Sequence, residues 1–213
     1  MRDNGAFDAH FPWRDIDASP QFTAYVHAAL TCATDWLMFL AADEFLNIGS
    51  REGVQSFLSR FPPDVSCVAV NWRNFGSAGQ TSYAPGLTIE RFNLASSPTA
   101  PVDHHVKSFL RPKLAESVPM HAPLMREGAA VMAWGAPLEM ETLGIAGAVD
   151  FSAARVNHYF CRSYEEYLEK RCRGVAWQKM TIRLNPPNTA TRCFVAATST
   201  TRRMRVFYGP SRR

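Results

Sequence analysis

A short apolar run followed closely by two acidic residues is the feature that most constrains how this chain folds. Residues 36–40 read Trp-Leu-Met-Phe-Leu, and Asp43 and Glu44 follow after two alanines. An uninterrupted apolar run of this length predicts a buried parallel strand, which brings the acidic pair to the carboxyl edge of an open sheet, where ligands bind. Carboxylate oxygens that converge there suit a divalent cation. An acidic pair after an apolar run is also typical of the start of a helix or turn, so both interpretations stay open.

Three helices are predicted from capping residues and from the spacing of apolar side chains. Ser19 and Pro20 are typical of a helix start, and the apolar spacing that follows predicts a helix over 20–33 with one buried face. A second helix is predicted over 52–61, before a pair of prolines. A third begins at Ser163, where the sequence Ser-Tyr-Glu-Glu matches a capping box.

Strands are predicted where β-branched and alternating apolar residues are flanked by glycine, proline or serine. Between the first two of them, residues 74–79 read Asn-Phe-Gly-Ser-Ala-Gly, the small residues of a tight loop that lets a ligand approach the backbone. Together with the helices, these strands predict an α/β fold in which a mixed sheet is flanked by helices. The predicted strands are 65–72, 87–92, 105–110 and 156–160.

The composition is that of an ordinary folded domain. Of its 213 residues, 46% are hydrophobic, which is enough to bury a core. There is no apolar run of about 18 residues and no basic-then-apolar signal at the N-terminus, which predicts a cytoplasmic protein without a transmembrane segment. The five cysteines are an odd number without a C-x-x-C pair, so we expect reduced thiols rather than a disulfide framework or a structural zinc site.

Charge is distributed unevenly along the chain. Residues 170–213 carry eleven Lys or Arg and no Asp or Glu, whereas residues 1–169 carry twelve basic and nineteen acidic residues. A basic end of this kind attracts phosphates, anionic lipid heads or nucleic acid, and it is equally typical of a poorly ordered, solvated tail over 175–213. Nucleic acid ranks last among these partners, because aromatic and basic residues are not interleaved there.

Between residues 19 and 174 a series of short motifs occurs in one order. They are Gln21 and Tyr25 of Q-x-x-x-Y; Trp36, Phe39 and Asp43-Glu44-Phe45 of W-x-x-F-x-D-x-D-E-F; Trp72 to Gly79 of W-x-x-F-G-S-S-G; Glu90-Arg91-Phe92; Val106-Lys107-Ser108 with Arg111-Pro112; Asn157-His158-Tyr159; and Ser163 to Glu166 followed by Lys170 to Gly174. In this order they resemble the glycosyltransferase family 2 and family 92 group of GT-A-type enzymes. The resemblance divides the chain into an irregular lead-in over 1–18, a glycosyltransferase-like domain over 19–174 and the basic tail.

The resemblance implies transfer of a sugar from a nucleotide-sugar donor, usually a UDP-sugar, to a saccharide acceptor, as in polysaccharide biosynthesis. The fold it implies is an incomplete GT-A-like, Rossmann-like mixed sheet with flanking helices. It also implies Mn²⁺ or Mg²⁺ on the donor diphosphate, with Asp43 as one metal ligand and His158 as a later one. Glu90 becomes the candidate base that takes the proton of the acceptor hydroxyl.

Each of these assignments has a structural alternative. His158 is also typical of a hydrogen-bonded, half-buried histidine, and Glu90 of an ion pair with Arg91. The other candidates are assigned to substrate binding by their place in the motifs, although the aromatic one suits a core and the two basic ones suit a solvated surface. These candidates are Glu44, Trp72, Gly76, Ser77, Lys107 and Arg111.

Two departures from the family pattern bear on activity. Ala41 stands where the family has the first aspartate of D-x-D, and alanine offers a cation no side-chain oxygen. Only eighteen residues precede the first predicted helical motif, fewer than the roughly 30 of one βαβ unit, so we expect the nucleotide-binding part to be missing. Either a second chain supplies that donor-binding half or the product is truncated and inactive. A non-catalytic remnant that binds a saccharide or a partner protein is the alternative function.

Overall fold

Strand β3 (Val65–Asn74) is the centre of the fold, and a six-stranded mixed sheet is assembled around it. Nine of its ten residues are buried, which explains a sequence rich in Val, Cys, Ala and Trp. The prediction of a strand at 65–72 is confirmed. The computed structural model describes residues 12–13, 19–49, 52–97 and 100–173. The predicted tail at 175–213 and all but two residues of the lead-in at 1–18 therefore lie outside the described residues.

Three strands pair directly with β3 along different parts of its length. Strand β4 (Val106–Leu110) lies antiparallel to it. On parallel registers, β7 (Ala129–Met132) pairs with its first half and β10 (Ala154–His158) with its last three residues. Pairing on this scale explains why β3 is covered along almost its whole length, and it confirms the predicted strands at 105–110 and 156–160.

The remaining strands complete the sheet edges and two small hairpins. Strand β1 (Leu37–Met38) lies antiparallel to β4, and β2 (Glu44–Ile48) lies antiparallel to β10. The mixture of parallel and antiparallel pairs around few helices confirms the predicted α/β class with a mixed sheet. The small antiparallel pairs are β5 (Ala115–Ser117) with β6 (Leu124–Met125) and β8 (Met140–Thr142) with β9 (Ile145–Ala146).

The three predicted helices are present. Ser163 Oγ accepts a hydrogen bond from Glu166 N, and Glu166 Oε2 accepts one from Ser163 N, both at 3.3 Å, which confirms the predicted capping box. The described part contains the helices α1 (Pro20–Thr31), α2 (Val54–Leu58), α3 (Thr88–Arg91) and α4 (Tyr164–Arg173), with 3₁₀ turns at Pro101–His104 and Pro112–Leu114.

The buried face predicted for α1 is wrong, because none of its residues is buried. Its Tyr25 ring stacks on Phe39 with the ring centroids 4.0 Å apart. The helix therefore rests on a partly exposed edge of the fold, and its apolar spacing serves a shallow contact rather than a core.

Two strand predictions are also wrong. The buried parallel strand expected at 36–40 is the half-buried edge strand β1, antiparallel to β4, because it has a neighbour on one side only. Asp43 consequently lies in a turn, and Glu44 begins β2. The strand expected at 87–92 is helix α3, in which Phe92 N donates to Thr88 O at 3.1 Å. Local hydrogen bonds satisfy this backbone without a strand neighbour.

The main hydrophobic core joins α2 to the central strands of the sheet. Phe57 is 0% exposed and lies against Phe61 and Phe109, with ring centroids 5.5 Å and 6.2 Å away. Valines of β3 and β10 complete this cluster, namely Val65, Val68, Val70 and Val156. The second predicted helix is therefore tied to the sheet through Phe57 and Leu58, with Phe61 packed beside them.

Two observations concern features that the described ranges lack. None of the helices there has the length and apolar character needed to cross a bilayer. Nor does a disulfide join the four cysteines of those ranges, in agreement with the expected thiols.

Truncating Phe57 tests the weight of the main core. We expect Phe57→Ala to lower the free energy of unfolding by about 3–5 kcal/mol, because a fully buried ring leaves a cavity. The matched control is Phe22→Ala, since Phe22 is 48% exposed on α1 and surface changes stay within about 0.5 kcal/mol. Urea unfolding followed by circular dichroism measures both variants. Equal losses for the two would contradict the assignment of this core.

Candidate functional site

The pairing of three strands brings residues from distant motifs into one row across the sheet. Glu44 of β2 lies opposite His158 of β10, and His158 lies opposite Asn74 of β3. Trp72 precedes Asn74 by two residues on β3, so the two side chains share a face of the sheet. The row joins the motifs around residues 43–45, 72–79 and 157–159, and we take it as the candidate site.

A buried chain of hydrogen bonds fixes the orientation of His158. The Asp103 carboxylate, on a residue 0% exposed, accepts hydrogen bonds from Asn74 N and Asn74 Nδ2, each at 3.0 Å. Because the amide nitrogen of Asn74 faces Asp103, its Oδ1 is left to accept a hydrogen bond from His158 Nδ1 at 3.0 Å. His158 is therefore protonated at Nδ1, and its Nε2 presents a lone pair.

Burial keeps His158 neutral while Asp43 stays charged. Burial lowers the pKa of His158 to about 3, with the Asp43 charge opposing that shift and Lys170 and Lys107 adding to it. For Asp43, burial by itself raises the pKa, but the hydrogen bond and charge of Lys170 outweigh burial and lower it. At neutral pH the site thus contains a carboxylate beside an uncharged imidazole.

Asp43 is held by a lysine from the last helix. Lys170 Nζ of α4 lies 2.6 Å from Asp43 Oδ2, and the two side chains are 34% and 13% exposed. The backbone of Asp43 is fixed as well, because its carbonyl accepts a hydrogen bond from Tyr159 N at 2.9 Å. The turn before β2, the end of β10 and helix α4 therefore meet at Asp43.

Glu44 and Lys107 form a second, more deeply buried pair. Lys107 Nζ of β4 lies 3.4 Å from Glu44 Oε2, and the side chains are 3% and 2% exposed. Glu44 Oε2 also accepts a hydrogen bond from Ala41 N at 2.7 Å, and Lys107 Nζ donates to Met120 O at 2.9 Å. Burial raises the pKa of Glu44, and Lys107 partly offsets that rise.

Three imidazoles surround the indole ring of Trp72. His105 is stacked on it at 5.0 Å and 14°, His158 lies 4.1 Å away and His121 meets it edge-on at 5.2 Å. Trp72 is only 8% exposed, and its Nε1 has no hydrogen-bond partner among the described residues. Burial, reinforced by the Lys107 charge, lowers the pKa of His121 to about 4. The indole is therefore packed within neutral rings.

Glu90 lies apart from this row, on the one-turn helix α3. Its side chain is exposed, and it makes no hydrogen bond or ion pair within the described part of the chain. The alternative of an ion pair with Arg91 is wrong, because Arg91 Nη2 pairs with Glu166 Oε2 at 2.7 Å. An exposed carboxylate without a local partner is at least available to a ligand.

The other predicted substrate-binding residues have structural contacts. Arg111 Nε donates to Val65 O at 2.9 Å, with its guanidinium 4.3 Å from the centre of the Trp36 ring. Gly76 N donates to Leu94 O at 2.9 Å, and Ser77 is 0% exposed. Ala78 and Gly79 have positive φ values of 51° and 80°, so the predicted tight loop is confirmed.

The residues present do not fit a resident divalent cation. Asp43 and His158 offer two ligand atoms, but the ammonium of Lys170 lies on the Asp43 carboxylate, and Ala41 has no side-chain oxygen. Within the described ranges, no three His, Cys, Asp or Glu side chains are grouped so that they could hold a metal ion. Mn²⁺ or Mg²⁺ on Asp43 and His158 stays a prediction.

Sequence reasoning missed three residues that shape this site. Lys170 begins the motif at 170–174, but helical spacing alone does not show that it reaches a residue 127 positions away. Asn74 ends a long apolar strand, which is a signal that a polar side chain there has a buried partner. For His121, in the segment between β5 and β6, we find no sequence signal.

Comparison with known proteins adds no family to these observations. No family model matches the chain, and no curated protein matches it either.

The buried imidazoles predict a loss of stability in mild acid. The unfolded state takes up a proton near pH 6.5, whereas folded His121 does so only near its lowered pKa of about 4. The contribution of His121 to stability is therefore fully present above pH 6.5 and is lost as the pH drops towards 4. His121→Gln should reduce this slope by at most about 1.4 kcal/mol per pH unit.

Urea unfolding at several pH values between 7 and 4.5 measures the slope. The matched control is His27→Gln, because His27 is exposed on α1, and it should leave the slope of the wild type unchanged. An unchanged slope in His121→Gln would show that this imidazole is not buried as described.

Proposed function

We propose that this chain is a glycosyltransferase-like protein that transfers a sugar from a UDP-sugar donor to a saccharide acceptor. The observation that supports the proposal most is the convergence of predicted site residues from separate motifs. The motifs predict five site residues from distant parts of the sequence, and these residues lie in one cluster formed by the turn before β2 and by β2, β3, β4 and β10. They are Asp43, Glu44, Trp72, Lys107 and His158.

The proposed reaction has a simple bond balance. An acceptor hydroxyl oxygen forms a bond to the anomeric carbon of the donor sugar, and the bond from that carbon to the diphosphate breaks. The diphosphate leaves as an anion, which the positive charge beside Asp43 stabilises. The hydroxyl proton passes to a carboxylate, for which exposed Glu90 is the candidate.

The finer fold assignment is part of the same proposal. A mixed sheet with an acidic turn before β2 is compatible with a GT-A-like domain. On this view Asp43 and His158 lie at the donor side, while the loop at Gly76 and Ser77 borders the acceptor. The order of the motifs along the sheet supports this arrangement.

A non-catalytic saccharide-binding or partner-binding remnant is the second candidate. Ala41 favours it, because the family's first metal carboxylate is absent and both remaining acidic residues are engaged by lysines. This candidate predicts glycan binding that is independent of metal and of the donor. Trp72→Ala would abolish such binding if the segment Trp72 to Gly79 carries it.

Release of UDP tests the catalytic proposal. Purified protein is incubated with a panel of UDP-sugars and saccharide acceptors, in parallel with Mn²⁺ and with EDTA. We expect release above the buffer rate, and we expect Glu90→Gln to lower kcat/KM by about 10². Glu116→Gln is the matched control, because Glu116 is exposed on β5, and it should behave as the wild type.

Two results would count against catalysis. One is the lack of UDP release with every donor, both in the wild type and after Ala41→Asp. The other is wild-type activity in both Glu90→Gln and Asp43→Asn, since neither proposed role would then be used. Glycan binding that persists without donor would instead favour the second candidate.

A further inference from the structure

Lys170 stands where a cation is expected in a site of this kind. Its Nζ lies 2.6 Å from Asp43 Oδ2, a short charge-assisted contact between α4 and the turn before β2. The expected ligand of a divalent ion is thus already neutralised by an ammonium. The contact is the main reason why the Asp43 carboxylate can stay charged at its depth.

The ammonium is held in place from more than one side. Besides Asp43, Nζ has the Phe160 carbonyl oxygen at 3.5 Å, and it lies 4.0 Å from the centre of the Phe160 ring. A lysine ammonium has three N–H donors, and the contacts made to the described residues use two of them. With 34% of its side chain exposed, Lys170 keeps one donor for an external anion.

The charge balance of the cluster gives the same result. Glu44 is matched by Lys107 and Asp43 by Lys170, while His158 is neutral. A divalent cation depends on uncompensated carboxylate charge, and Ala41 adds none. A further double positive charge would therefore be repelled by two nearby ammonium groups.

We infer that Lys170 is the fixed cation of this site and that it binds the diphosphate of the donor without a divalent metal. The inference depends on the proposed function for the identity of the ligand. Lys107 has a side-chain exposure of 3%; it forms an ion pair with Glu44 inside the protein and is not accessible to the ligand. Lys170 is the exposed member of the two pairs, and a lysine binds phosphate as a point charge.

Inorganic pyrophosphate is the probe, and calorimetry in EDTA measures its binding to the full chain. We expect the wild type to bind it without metal and Lys170→Met to lose about 10-fold or more in affinity, as for a charge-assisted hydrogen bond. Lys170→Arg should retain most of the affinity. Arg171→Met is the matched control, because it removes one exposed positive charge at the next position of α4.

Binding of Mn²⁺, followed by electron paramagnetic resonance, is a second and independent measurement. The wild type should show no bound Mn²⁺, whereas the double variant Ala41→Asp and Lys170→Met should acquire it, since it restores two uncompensated carboxylates. Thermal unfolding confirms that each variant is folded. The inference is supported if folded Lys170→Arg binds pyrophosphate as the wild type does and Lys170→Met binds it weakly. This holds even if Lys170→Met is less stable than the wild type.

The outcomes separate this inference from the proposed function. Pyrophosphate binding in EDTA without any UDP release supports the role of Lys170 and contradicts the proposed transferase activity. If UDP release requires Mn²⁺, the protein is a transferase but Lys170 does not replace the metal. The same conclusion about Lys170 follows if the wild type binds Mn²⁺ and Asp43→Asn does not. Lack of pyrophosphate binding in EDTA, or equal losses in Lys170→Met and Arg171→Met, also overturns it.

Discussion

The candidate site depends on the hydrogen bonds that the buried carboxylate of Asp103 accepts. Its residue is 0% exposed, and a charge at that depth is tolerated only when donors surround it. Asn74 supplies two donors, Ser96 Oγ lies at 2.6 Å, and Arg73 Nη1 adds a contact at 3.4 Å. These donors fix the end of β3, where β10 pairs with it. The amide of Asn74 then has one orientation, and His158 has one tautomer as a result.

The two lysine–carboxylate pairs differ in burial. The buried pair has a structural role, whereas the more exposed pair is accessible to a ligand. Glu44 and Lys107 are nearly inaccessible, with side-chain exposures of 2% and 3%. Such a pair loses most of its hydration on folding, so its net contribution to stability is small, whereas removing one partner leaves an uncompensated charge. Asp43 and Lys170 retain contact with solvent. A ligand can compete for the second pair without unfolding the first.

The central strand of the sheet could be predicted from the sequence, whereas the edge strand β1 could not. Strand β3 is long and has neighbours along almost its whole length, so its residues 65–72 form a clear apolar pattern. The capping box at Ser163 likewise locates the start of α4. Both features depend on local sequence patterns. The run at 36–40 looked the same as a buried strand, yet it has one neighbour, and pairing partners are not visible in a single segment. The meeting of Glu44 with His158 depends on strand register across β2 and β10. Register is set by the whole sheet, so motif order could suggest that meeting but could not show it.

Ala41 and Lys170 are explained by the same charge balance. The turn at 41–44 keeps its shape with alanine, because Glu44 N donates to Ala41 O at 3.0 Å and Ala41 N donates to Glu44 Oε2 at 2.7 Å. An aspartate at 41 would add a negative charge next to Glu44, whose pKa burial already raises. Without it, one carboxylate at Asp43 faces one ammonium at Lys170, and the balance is neutral. With alanine at 41, the two carboxylates at 43 and 44 are each matched by one lysine.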